Sequence, residues 1–237
     1  MKKIVLLTTD TAHHRFFINR WLSSNLPMEV CLFETKKYNN LPYKIGPLFD
    51  NEERDFEEKN FFQNISRDIT KKLTSNVVDV NSIKARDMLK EINPDFGVVF
   101  GTGLIKPSTI NLFHDGLINV HRGIAEKYRG LDSDLWAIYH RDYNNLGVTV
   151  HRVDNNLDTG ELVKQDLLTP KLGMRISHIR YHTTVIAVDL IIDSLKDYLA
   201  GKLHSTKQIN RGRYYSFMPL SIKRQVEKQF NDYCMKL

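Results

Sequence analysis

The sequence predicts an α/β protein: a Rossmann-like, mostly parallel sheet with flanking helices, plus a short C-terminal strand/helix extension. Through the first half of the 237 residues, short apolar runs alternate with helix-period patterns, as in strands buried on both faces and joined by crossover helices. Hydrophobic residues make up 41%, enough for one sizeable core. After Val120 the order changes to a helix and then two strands joined by a polar loop.

The expected strands of the first half are residues 3–8, 28–33, 76–80, 96–100 and 117–120. Residues 16–24 and 83–92 read as helices. The second has Ser82 as N-cap, Ala85, Leu89 and Ile92 on one face, and Asn93-Pro94 to end it. Residues 39–70 form a polar excursion with one helix. A helix over 132–139 starts on acidic residues, which its dipole favours. Strands over 147–153 and 161–168 leave Asn155 to Gly160 as the loop between them. A long helix runs from Met174, with Val185, Val188, Ile192, Leu195 and Leu199 as its stripe and Gly201 at its stop. Residues 207–210 and 213–217 are expected to pair as small strands, and 221–233 to form an amphipathic helix.

Thirty-four basic against 28 acidic residues give a formal charge of +6. This mild excess is spread along the chain, without a basic block interleaved with aromatics, so a small phosphorylated partner is favoured over nucleic acid. Cys31 and Cys234 form no disulfide framework, which fits a reducing cytoplasm. The opening Met1-Lys2-Lys3 and Ile4 to Leu7 imitate a signal peptide, but the apolar run is short and lacks a small-residue cleavage site, so it reads as a buried strand. Asp189, Asp193, Lys196 and Asp197 interrupt the tract Val185 to Leu199, which excludes it as a membrane span.

Asn119 and His121 are one residue apart at a strand end, so their side chains share a face. With Asp158 they supply an amide donor, a proton carrier and a carboxylate to orient it, the parts needed to move an acyl group onto an amine. Taken separately, an Asn-x-His and an Asp-Thr-Gly more often cap a strand and build a turn. The sequence between them reverses those odds.

Phe100-Gly101-Thr102-Gly103-Leu104-Ile105-Lys106-Pro107, Ile118-Asn119-Val120-His121, Lys127-Tyr128-Arg129-Gly130 and the run from Gly147 to Gly160 resemble, in order, the motifs of the formyltransferase family that uses N10-formyltetrahydrofolate. The match is close from Asp95 to Val163 and extends by strand pattern to Gly201. The resemblance implies a catalytic domain over 1–201, an extension over 202–237 at a candidate dimer interface, and a cytoplasmic homodimer like the sugar-modifying members. It implies that Asn119 and His121 stabilise and protonate the tetrahedral intermediate, while Asp158 raises the pKa of His121 and relays the proton. It also implies that Gly103, Leu104, Ile105 and Asp154, Asn155, Asn156, Leu157 hold the folate, largely through backbone groups. His13, His14, Arg15, Arg122, Tyr128 and Arg129 are the candidates for acceptor contacts. The chain departs from the family's usual His-x-Ser-Leu-Leu-Pro at His121-Arg122-Gly123-Ile124-Ala125-Glu126.

Three acceptors compete. The tRNA enzymes continue into a substantial basic domain, whereas only 202–237 follow Gly201 here. Glycinamide ribonucleotide enzymes carry a glycine-rich phosphate loop after the first strand, but Thr8 to Arg15 contains no glycine. The expected acceptor is therefore a nucleotide-linked amino sugar, such as dTDP-4-amino-4,6-dideoxyglucose, used in lipopolysaccharide O-antigen. Formyltetrahydrofolate hydrolase is a further alternative, although those enzymes carry an extra N-terminal domain. His178 and His182 lie one helical turn apart without a third ligand, so packing or solvent is favoured over metal.

Overall fold

The computed structural model describes residues 2–36, 42–46, 49–69 and 73–237. Its elements are β1 (Ile4–Thr8), α1 (Ala12–Ser23), β2 (Val30–Glu34), α2 (Asp50–Phe61), β3 (Thr74–Val77), α3 (Ile83–Ile92), β4 (Phe96–Phe100), α4 (Pro107–Ile110) and β5 (Leu117–His121). They continue as β6 (Tyr128–Gly130), α5 (Ser133–Tyr139), β7 (Gly147–Arg152), β8 (Leu162–Leu167), α6 (Ile179–Leu199), β9 (Arg213–Tyr215) and α7 (Leu220–Cys234). Among the described residues the main sheet runs β3-β2-β1-β4-β5-β7-β8. The first five strands are parallel, and β7 and β8 are antiparallel to their neighbours.

The alternation of each strand decides which layer it feeds. Leu6, Phe33, Val98 and Val120 face α1 and α6, where Phe17, Trp21, Val188, Ile191 and Leu195 complete the larger core. Their neighbours Leu7, Leu32 and Val99 face α3 and pack on Ala85 and Leu89. Strands covered on both sides must be apolar throughout, which is why β1, β2 and β4 are buried at every position. Ser82 caps α3 by accepting the Ala85 N–H, and Asn93 ends it in a left-handed conformation.

Several boundaries differ from expectation. Helix α1 begins at Ala12, not at residue 16, so His13, His14 and Arg15 lie in its first turn. Strand β3 ends at Val77, leaving Val78 exposed. The stripe of α6 runs through Ala187, Val188, Ile191 and Leu195, and Leu199 is exposed, because a 3.6-residue period drifts away from the heptad spacing. The excursion contains α2, but residues 39–41, 47–48 and 70 of that stretch lie outside the described residues. Residues 207–210 are not a strand. β9 pairs in parallel with β6, and Thr206 makes a single bridge to Leu162. The only apolar side chain of 207–210, Ile209, is 90% exposed, and the N–H groups of Ile209 and Asn210 donate to Glu126 instead of to a ladder.

Helix α7 packs on α5, where Leu135, Ile138, Met218, Val226 and Phe230 form a second apolar cluster. No helix among the described residues is long and apolar enough to cross a membrane. Phe230 is fully buried, so Phe230→Ala is expected to lower stability by about 3–5 kcal/mol. Urea unfolding followed by tryptophan fluorescence measures this, since Trp21 reports on the first core and Trp136 on the second.

Candidate active site

The strand order reverses between β1 and β4, and in open α/β sheets such a switch point opens a crevice beyond the carboxyl ends of the strands. A cavity of about 840 Å³ occupies that position. Its walls are the first turn of α1, the loops 101–105 and 153–158, the end of β5, the start of α5 and residues of the C-terminal segment.

Asn119, His121 and Asp158 meet at its floor. His121 Nδ1 lies 3.5 Å from Asp158 Oδ2, and Asn119 Nδ2 lies 3.5 Å from Asp158 Oδ1. A fourth group joins them. Antiparallel pairing of β5 and β7 sets His151 directly opposite Asn119, and its Nε2 is 3.2 Å from both Asn119 Nδ2 and Asp158 Oδ1. The nitrogen roles follow from the backbone. His121 Nε2 is 2.8 Å from the Tyr128 carbonyl, and His151 Nδ1 is 2.8 Å from the Arg152 carbonyl. A carbonyl only accepts, so those nitrogens carry hydrogen and donate. His121 Nδ1 and His151 Nε2 are left facing the carboxylate.

Burial alone would push the Asp158 carboxyl up. His121, the His151 hydrogen bond and charge, and the Gly130 N–H outweigh it and hold Asp158 well below the usual carboxylate range. The Gly130 N–H donates to Oδ2 at 2.8 Å. Asp158 itself is left-handed, with φ +54°. Its loop is clamped by Gln208 Nε2, which donates to the Asp158 and Gly160 carbonyls at 3.0 and 2.8 Å. A Cβ on Gly160 would stand 1.7 Å from the Arg152 carbonyl oxygen, which accounts for the glycine of Asp-Thr-Gly.

The opposite loop is held by two residues that sequence reasoning missed. Glu34, buried at the end of β2, accepts the Val80 N–H at 3.2 Å and the Gly103 N–H at 2.9 Å. Asn81 accepts the Lys106 N–H at 2.7 Å and donates to the Leu104 carbonyl at 2.9 Å. Gly103, Leu104, Ile105, Asp154, Asn156 and Leu157 all line the cleft, whereas Asn155 does not.

The acceptor candidates divide. His13, His14 and Arg122 line the cleft; Arg15, Tyr128 and Arg129 are not among the residues that line it, and their side chains bond to the protein itself. Arg15 grips Asp10 at 2.6 and 2.8 Å. The Tyr128 hydroxyl donates to Asp142 at 2.9 Å. Arg129 donates to the carbonyls of Gly212 at 2.6 Å and Leu157 at 3.0 Å, tying two loops together. Tyr214, Ser216 and Phe217 also line the cleft. His178 stacks on Phe56, with ring centroids 3.9 Å apart.

Behind the cleft, Arg180 holds Glu57 through two hydrogen bonds of 2.6 and 2.8 Å and Glu53 at 2.7 Å, with His13 3.9 Å from Glu57. Burial pushes the Glu53 carboxyl up to about 7. Burial likewise pushes the His14 imidazole down to about 3, helped by the charges of Arg122 and Arg180.

Strand-end placement, two facing loops and an amide, imidazole and carboxylate define a transferase site of the Rossmann-like class. The chain belongs to the formyl transferase family, whose model matches residues 2–170. A methionyl-tRNA formyltransferase of Finegoldia magna is 30% identical over 121 residues, covering 51% of this chain and 39% of that protein. The matched stretch thus spans less than half of that relative. An N-formyltransferase from Helicobacter canadensis, solved with folinic acid and dTDP-3-aminofucose, superposes with a TM-score of 0.61 at 15% identity, covering 100% of this chain and 81% of that one. A phosphoribosylglycinamide formyltransferase from Bacillus halodurans gives 0.59 at 19% identity, covering 84% and 96%. At these identities the superpositions establish the shared fold.

His14→Gln tests the buried imidazole. The unfolded chain takes up a proton near pH 6.5 that folded His14 refuses until about pH 3, so this group's contribution falls as pH falls through that window. Relative to the variant, the wild-type unfolding free energy is expected to drop by up to about 1.4 kcal/mol per pH unit between pH 6 and 4. Glu53, whose raised value acts in the opposite sense, is common to both proteins and cancels. Denaturant midpoints at matched pH measure the difference.

Proposed function

We propose that the chain transfers the formyl group of N10-formyltetrahydrofolate to the amine of a nucleotide-linked amino sugar. The observation that carries the transfer is the meeting of Asn119, His121 and Asp158 between the two loops, with both contacts to Asp158 at 3.5 Å. The loops suit a flat, partly apolar donor: Leu104 and Leu157, 48% and 39% exposed, stand on opposite loops of one cleft whose backbone groups are fixed by Glu34, Asn81 and Gln208. When bound, the donor supplies a formyl carbon attached to nitrogen.

The side chains then divide the work. Asn119 donates to the oxygen that gains charge as the acceptor amine adds. His121 Nδ1, the nitrogen not committed to a carbonyl, receives the amine's excess proton and returns it to the departing nitrogen. Asp158 stays ionised and stabilises the charged ring. His151, whose Nε2 lies 3.2 Å from both Asp158 Oδ1 and Asn119 Nδ2, positions both.

Two features support the sugar acceptor over glycinamide ribonucleotide. The turn after β1 has no glycine and is filled by His14, whose Nδ1 lies 2.9 Å from both Thr9 and Thr11 hydroxyls. Tyr214, 50% exposed on the cleft, offers a stacking face for a base. Purified protein given N10-formyltetrahydrofolate is expected to formylate dTDP- or UDP-linked 4-amino-4,6-dideoxyhexoses. Efficient use of glycinamide ribonucleotide or methionyl-tRNA with poor use of every amino sugar would overturn the acceptor, and full-rate formate release without any amine would favour hydrolysis.

His121→Asn is expected to reduce kcat by on the order of a hundredfold or more while folinic acid still binds. Steady-state rates and calorimetric titration check both halves. Unchanged turnover would remove His121 from the reaction.

A further inference from the structure

Four buried side-chain nitrogens lack a hydrogen-bond partner among the described residues, and two of them, Arg122 Nη1 and His14 Nε2, belong to residues that line the same cleft. His14 Nε2 packs against Gly101, where a Cβ would stand 2.5 Å away, so its position is fixed. Arg122 is the more telling case. It follows His121 directly and is half-buried. Its guanidinium has no carboxylate in ion-pair contact among the described residues. Arg180, the other arginine near His13 and His14, is gripped by two glutamates. Glu53 and Asp132 act on Arg122 electrostatically without an ion-pair contact, which leaves one N–H of a partly desolvated cation for an oxyanion in the cleft, in competition with water.

We propose that Arg122 anchors an anionic oxygen group of the acceptor, a phosphate or a carboxylate, and thereby sets where the amine lies relative to His121. The proposal rests on the formyl-transfer reading and adds the acceptor's anchoring point. It divides the cleft: the donor lies along loops 101–105 and 153–158, and the acid group of the acceptor lies beside Arg122 between α1 and α5.

The experiment titrates wild type, Arg122→Gln and Arg122→Lys, each saturated with folinic acid, with dTDP, UDP, inorganic pyrophosphate and citrate by calorimetry. Wild type is expected to bind at least one of these anions, Arg122→Gln about tenfold or more weakly, and Arg122→Lys in between. Folinic acid affinity and the thermal midpoint should stay the same in all three. Equal binding of anions to wild type and Arg122→Gln overturns the anchor but leaves the sugar-nucleotide reading standing. Arg122-dependent binding of citrate or pyrophosphate without binding of dTDP or UDP upholds the anchor and counts against a nucleotide. Failure of wild type to bind any of the four, or equal weakening of folinic acid in Arg122→Gln, overturns the proposal.

Discussion

The Asp158 carboxylate is the interaction on which the site depends. It is nearly buried and would be costly to ionise alone, yet four donors or imidazoles converge on it from β5, β6 and β7. Each partner is itself pinned by a backbone carbonyl or a strand register. The carboxylate therefore does more than orient one imidazole: it is the point at which two sheets and one loop agree on a single geometry. Its left-handed backbone is tolerated because Gln208, Arg129 and the close approach at Gly160 over-determine the loop around it.

The same logic extends to the other wall. Glu34 and Asn81 accept or supply hydrogen bonds to the backbone of residues 103–106. Side chains from near the ends of neighbouring strands hold this loop, so part of the cleft wall is encoded far along the chain from where it is displayed.

Periodicity in the sequence revealed the parallel half of the sheet because strands covered on both faces have little freedom of composition. Residues 96–100 and 83–92 match the observed β4 and α3, where apolar run, cap and stop agree. Asn119 and His121 were legible because i and i+2 of a strand share a face. His151 was not, since its place opposite Asn119 depends on an antiparallel register that no local pattern states. The protein contacts of Arg129 and Tyr128 were hidden for a related reason. No local pattern states that the carbonyls of Gly212 and Leu157 engage Arg129, or that the carboxylate of Asp142 engages Tyr128. The small strand β9 pairs with β6, more than eighty residues away in the chain, so a hairpin rule could not find it.

That remote pairing links the two ends of the functional half in one mechanical unit. The Tyr128 carbonyl that fixes the His121 ring belongs to the strand that β9 flanks, and Glu126, two residues earlier, fastens the approach to β9. A shift of β9 thus reaches the imidazole through the main chain of β6. The segment is therefore not a detachable cassette, because the angle at which the Tyr128 carbonyl meets the His121 ring leans on it.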